Sequence, residues 1–318
     1  MLGTIKMMFV ASVCSHFINT YAIANGKSKI IRNYISKCND YAPLMFEDIR
    51  NYMVDYERVK QWELLASDKD EIESQVGGRK VISISPGGLR GFYMMGTITY
   101  IKENYNLDNY VFSGASAGAW NALYMSCKKE PIDLALKILG DDAFVKARSI
   151  NEIEHLLKYK LLTTYTHNDF SLDKVFIGIT TLNRFKPTIN IISNFQDLED
   201  AINCCIASSH IPLITGGLIN IYQNKYAFDG GFCSNPYVNI SKPVLHITPS
   251  IWKEIIKLDN GRFERKMYKP SYKQFLYDVI ECPKLLRNKN LDFFELFDQG
   301  YNDAKKNKEY LDFVFNEK

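Results

Sequence analysis

The stretch Tyr110-Val111-Phe112-Ser113-Gly114-Ala115-Ser116-Ala117-Gly118-Ala119 decides how the rest of the chain is read. Its first four residues read as a strand, Gly114 to Gly118 as a tight turn, and Ala119 to Lys128 as a helix. A G-x-S-x-G in that setting has the form of a nucleophile elbow. The sharp turn forces Ser116 into a strained backbone position, and Gly114 and Gly118 remove side chains that would collide with the crossing helix. The serine Oγ then lies at a helix N-terminus, where free amides and the dipole favour developing negative charge.

The same order occurs just upstream. Lys80-Val81-Ile82-Ser83-Ile84-Ser85 is a β-branched run closed by Pro86-Gly87-Gly88, and Met94, Met95, Ile98 and Ile101 follow at helical spacing. A parallel sheet brings both loops to one edge. The consecutive glycines leave backbone amides unshielded, as an oxyanion hole requires, and Arg90 is placed to hold the loop or an anionic substrate group. A phosphate loop reads less well here, because the lysine and hydroxyl residue of that motif are missing and the glycine spacing misses the dinucleotide pattern.

Downstream, Pro131 and Gly140 bracket a helix, and Ser149-x-x-Glu152 has the capping-box form. Lys174 to Thr180 reads as a buried strand, Gln196 to Ala207 as a helix, Tyr226-Ala227-Phe228 as a strand end, and Val244 to Ile247 as the last core strand. This alternation predicts an α/β fold with a mainly parallel central sheet flanked by helices on both faces. Three regions are expected: an N-terminal helical extension over 1–78, the catalytic domain over 79–250, and a helical C-terminal extension over 251–318. Between Ile251 and Asn290 stand ten Lys or Arg against five Asp or Glu, interleaved with aromatics such as Trp252 and Tyr268. This stretch, with Arg265, Lys266 and Lys269, reads as a solvated face or as a contact for an anionic membrane.

A formal net charge of +3 over 318 residues gives no reason to invoke nucleic acid as a partner. Seven cysteines without C-x-x-C spacing suggest a reduced, cytoplasmic chain and no zinc site. Lys6, the apolar run Met7 to Cys14 and Ala22-Ile23-Ala24 outline a signal segment over 1–24, which would direct the chain to the secretory pathway. Ser15, His16, Asn19 and Thr20 interrupt it, and a buried helix has the same pattern.

A nucleophilic serine needs a base. Of the five histidines, His16, His155, His167, His210 and His246, only His246 follows Asp229, and it lies inside an apolar strand as a core histidine would. His210 is the other histidine suited to a triad. Asp229, at a strand end before Gly230 and Gly231, is the alternative, although an Asp-Gly pair alone reads more readily as a turn.

Taken together, Gly87-Gly88-Leu89-Arg90-Gly91, Gly114 to Gly118, Ser208-Ser209-His210-Ile211-Pro212 and Asp229-Gly230-Gly231 resemble, in this order, the motifs of the patatin-like phospholipase family. The likeness covers about residues 79 to 250, and Gly300 to Ala304 is similar to the family's C-terminal helix. The resemblance implies a three-layer α/β/α fold and a Ser116–Asp229 dyad in which no histidine takes part. It further implies an oxyanion hole from the amides of Gly87, Gly88 and Leu89, with no metal and no cofactor. The implied substrates are fatty acyl esters of phospholipids, lysophospholipids or glycerides, met by transient contact with a membrane or lipid-droplet surface. Acyl transfer to an alcohol, or a catalytically silent lipid- or partner-binding protein, are the alternatives. Pro86 motivates the last, since it stands where the family commonly has a first glycine and has no amide hydrogen.

Overall fold

Strands β1 (Lys80–Ile84), β2 (Tyr110–Gly114) and β3 (Val175–Asn183) form from the apolar runs, and the two-residue period of a strand sends their side chains to opposite faces. Val81, Val111 and Phe176 pack with Ile72 and Val76 of helix α1 (Ala66–Val76) in a small core on one face. Ile82, Ile84, Phe112, Val175 and Ile177 belong to the larger core on the other, with residues of α2 (Gly91–Asn104), α3 (Ala117–Ser126) and α4 (Pro131–Leu139). Cover on both faces explains why these strands read as continuous apolar runs. The computed structural model describes residues 66–147, 149–183, 186–212, 214–217, 219–233, 235–265 and 292–316. The candidate signal segment 1–24 and Lys266, Tyr268 and Lys269 lie outside these.

Two more helices, α5 (Asp142–Lys146) and α6 (Ile150–Thr164), follow α4, and the Ser149 side chain accepts from the Glu152 amide as the capping signature predicts. Strand β4 (Lys186–Ile192) returns antiparallel along β3 and leads to α7 (Leu198–Ser208); β5 (Asn220–Tyr222) and β6 (Lys225–Phe228) form a hairpin, and β7 (Leu245–Ile247) pairs with β1. The sheet runs β5-β6-β3-β2-β1-β7, with β7, at its edge, and β1, β2 and β3 mutually parallel. Ile84 stands level with Gly114, and Gly114 with Ile177, so the loops after β1 and β2 leave the sheet at one edge.

The C-terminal segment contains more than helix. After α8 (Ile251–Glu254) come β8 (Ile255–Lys257) and β9 (Phe263–Arg265), an antiparallel pair, and then helices α9 (Phe293–Lys306) and α10 (Lys308–Asn316). Glu254 is 3% exposed, and one of its carboxylate oxygens accepts from Thr248 (2.9 Å) and Ser250 (2.8 Å), the other from Arg265 Nε (3.0 Å) and Nη2 (2.6 Å). Arg265 is thereby turned inward rather than offered to a lipid surface. Removing it would leave a buried carboxylate without its counter-ion, so Arg265→Ala is expected to cost about 3 kcal/mol of stability, read by thermal or urea unfolding. No helix among the described residues is long and apolar enough to cross a membrane.

Candidate active site

Ser116 immediately precedes α3 with φ 55° and ψ −127°. A non-glycine residue there stores about 1–3 kcal/mol of backbone strain, so neighbours must hold it. The Ser116 amide donates to Ser208 Oγ at 2.8 Å, and Ser208 Oγ donates to the Gly178 carbonyl at 2.7 Å. Both elbow glycines are forced by close approach: a Cβ on Gly118 would lie 2.1 Å from the Ile84 carbonyl oxygen, and one on Gly114 2.0 Å from that of Gly118. The serine is not open to solvent as an elbow residue is expected to be, for only 6% of its surface is exposed.

Strand β6 delivers Asp229 to the same edge. Its amide donates to the His210 carbonyl (2.8 Å), its carbonyl accepts from Thr180 Oγ1 (2.9 Å), and its Oδ1 accepts from the Gly231 amide (2.7 Å). Gly230 allows this turn because a Cβ there would lie 2.3 Å from the Gly178 carbonyl oxygen. The side chain is fully buried, and Oδ2 has no hydrogen-bond partner among the described residues. Burial raises the carboxyl from the usual aspartate range to about 6, opposed by the Ser116 hydroxyl and the Gly231 amide. The Ser116 hydroxyl is thus close enough to the carboxyl to oppose that rise.

The loop after β1 completes the edge. Arg90 N–H closes on the Gly87 carbonyl (3.0 Å) and the Gly91 amide on the Gly88 and Leu89 carbonyls, whereas the Gly87, Gly88 and Leu89 amides have no acceptor among the described residues. Pro86 removes a donor one position earlier and leaves these three intact. Gly88 adopts φ +51°, open to glycine at no steric cost, and Gly87 packs so closely on Met94 and Pro249 that a Cβ would come within 2.8 Å of the Met94 methyl carbon. The Arg90 side chain is exposed and makes no ion pair among the described residues, so Arg90 closes the loop through its backbone amide alone.

The histidines stand elsewhere. His246 Nδ1 lies 2.7 Å from Ser83 Oγ, and burial together with Arg265 lowers it to about 4, which keeps the ring neutral. His210 is buried with its ring 6.2 Å from that of Phe228, and its carbonyl serves Asp229. His155 and His167 are exposed, and His16 lies outside the described residues. No three His, Cys, Asp or Glu side chains converge as a metal-ligand set among the described residues.

Three contributors escaped the sequence reading. Asn121 Nδ2 bridges the Ala117 carbonyl (2.9 Å) and the Gly91 carbonyl (3.1 Å), tying the elbow helix to the glycine loop. Gly178 takes the Ser208 hydroxyl, and Glu154 on α6 lies buried against Ser209. Each is a lone residue inside an ordinary helix or strand pattern, so periodicity gives no sign of it.

The family model described as patatin-like phospholipase matches residues 82–240, which is 159 of the 318 residues. The chain belongs to the patatin-like phospholipase family. That match spans the glycine loop, the elbow, the Ser208 to Pro212 segment and the Asp229 turn. Among curated proteins the chain is similar to the Mus musculus protein named 1-acylglycerol-3-phosphate O-acyltransferase Pnpla3, 25% identical over 181 residues. The similarity takes in 53% of this chain and spans 43% of that relative's length.

Proposed function

We propose that this patatin-like chain is a serine-dependent lipid acyl hydrolase with Ser116 as nucleophile and Asp229 as its direct proton acceptor. Family membership supports chemistry on lipid acyl groups, by hydrolysis or transfer. The observation that carries the residue assignment is the unpartnered, fully buried Oδ2 of Asp229 beside a strained Ser116. An aspartate raised to about 6 is a far better base near neutral pH than one at its ordinary value near 4. Ser116 attacks the acyl carbonyl while Asp229 takes its proton. The oxyanion is held by the free amides of Gly87, Gly88 and Leu89; the proton passes to the leaving alcohol; and Asp229 then activates water to release the fatty acid.

The base must be ionised to act, so kcat/KM is expected to fall tenfold per pH unit below about 6 and to level off above it. A pH–rate profile with a soluble ester checks this, and a flat profile down to pH 4 would count against Asp229. Labelling by a fluorophosphonate probe that depends on Ser116 tests the nucleophile directly. Absence of labelling would leave the catalytically silent reading that Pro86 motivates.

Acyl transfer is the second reading, favoured by the acyltransferase name of the mouse relative and by exposed Arg90 beside the glycine loop, a free cation for an anionic acceptor. Product analysis by mass spectrometry with a lysolipid present separates transfer from hydrolysis. Contact with an anionic lipid surface would rest on cations other than Arg265, such as exposed Lys253 beside Trp252.

A further inference from the structure

Glu154 is a carboxyl buried to 3% exposure on a helix that carries none of the family motifs. Its Oε1 lies 2.5 Å from Ser209 Oγ. Ser209 Oγ also accepts from Trp120 Nε1 (3.2 Å), on the elbow helix, and lies 2.8 Å from the Cys205 carbonyl oxygen. Proton counting fixes how this cluster is satisfied. Indole N–H only donates, a carbonyl only accepts, and a serine hydroxyl owns one proton. The Cys205 carbonyl already accepts from the Ser209 amide at 3.0 Å, so the hydroxyl proton is placed to go to Glu154 Oε1.

The neighbours of Ser209 show what the cluster holds. Ser208 Oγ takes the Ser116 amide, and the His210 carbonyl takes the Asp229 amide. Three consecutive residues therefore touch the candidate nucleophile, the elbow helix and the candidate base. We infer that Glu154 is a positioning residue that pins the Ser208–His210 segment through Ser209 and so sets the placement of Ser116 against Asp229. The inference rests on the dyad proposed above for its catalytic consequence, but the pinning itself is a structural statement with its own readout.

The charge state has a consequence for pH. Burial lifts the Glu154 carboxyl to about 8, opposed by the Ser209 contact and helped by the nearby Asp229 charge. Of the facing groups, Cys205 on α7 is a buried thiol pushed well up, and Lys158 of α6 is engaged with Glu199 and Asn203. Toward α5, Lys160 is paired with Asp141. Above about pH 8 a second negative charge thus arises close to Asp229.

The test compares wild type with Glu154→Gln, Glu154→Ala and Ser209→Ala. Glutamine keeps the shape and a donor without a titrating proton. Expected is a wild-type rate of Ser116 fluorophosphonate labelling near neutral pH in Glu154→Gln. Glu154→Ala and Ser209→Ala should each slow labelling by about 10- to 100-fold, with no further loss in the double variant. Hydrogen exchange, read over 114–119 and 228–231, should show the Ser116 and Asp229 amides losing protection in Glu154→Ala while β1 and β2 keep theirs. A wild type that does not label at all would reject the dyad and leave the exchange measurement to decide the pinning. Unchanged exchange at both amides in Glu154→Ala, or in Ser209→Ala should the former fail to fold, would overturn the inference.

Discussion

Replacing Asp229 by Asn is expected to lower kcat by about ten-thousandfold while leaving the fold as stable as before or more so. The exchange is nearly isosteric, so the buried side chain can still accept from the Gly231 amide through its carbonyl oxygen. What disappears is the proton acceptor. Loss of an acid residue that acts with a serine costs on the order of 10⁴ in kcat in serine hydrolases, the remainder coming from binding and the oxyanion donors. The stability side follows from linkage. The folded-state value of about 6 exceeds the ordinary value of 3.8, so between these the native chain holds more protons than the unfolded one. Stability therefore falls as pH rises through that window, and at pH 7 the ionised aspartate burdens the fold. Asparagine removes the burden. Single-turnover kinetics and thermal unfolding at pH 7 read the two halves together. Turnover within tenfold of wild type would reject the dyad and return attention to His210 or His246.

Gly300→Ala is expected to destabilise the chain by about 4 kcal/mol, by the overlap of two backbones rather than through any lost contact. Helix α9 crosses α2 where Gly300 meets Gly96: a Cβ on Gly300 would lie 1.9 Å from the Tyr93 carbonyl oxygen, and one on Gly96 1.9 Å from that of Phe297. Neither backbone has a flexible end that can yield. The helices would have to separate, stretching the Thr97 to Gly300 bond (3.1 Å) and the Tyr93 to Asp303 bond (2.9 Å) that lock the crossing. Because α2 starts at Gly91, directly after the glycine loop, a shift of this helix also moves the proposed oxyanion donors. Thermal unfolding is expected to drop by roughly 8–16 °C, with activity lost below the melting range. A variant that melts within 2 °C of wild type would show that the crossing is more compliant than the geometry implies.

The sheet centre was legible because β1, β2 and β3 are buried on both faces, and burial on both faces selects unbroken apolar runs. The return strands were not. β4, Lys186-Pro187-Thr188-Ile189-Asn190-Ile191-Ile192, carries a proline and an asparagine, which a strand paired on one side tolerates and which blur its period. β5 spans only Asn220–Tyr222. The hairpin of β8 and β9 interrupts a stretch whose basic, aromatic composition gave no periodic signal, and Arg265, read as a surface cation, turned inward because Glu254 stands across that hairpin.

Of the site, Ser116, its glycines and the Gly87–Leu89 loop were determined by sequence, since backbone strain and close approach are local demands that only particular residues meet. That Asp229 rather than a histidine stands against Ser116 rested in the sequence on resemblance, and the spatial arrangement was decided by the level at which β6 ends beside β3. Only the tertiary structure could raise Asp229 to about 6, set Ser208 under the Ser116 amide and bury Glu154 behind Ser209. Burial and distance between residues remote in the chain depend on the assembled sheet, and no local pattern encodes them.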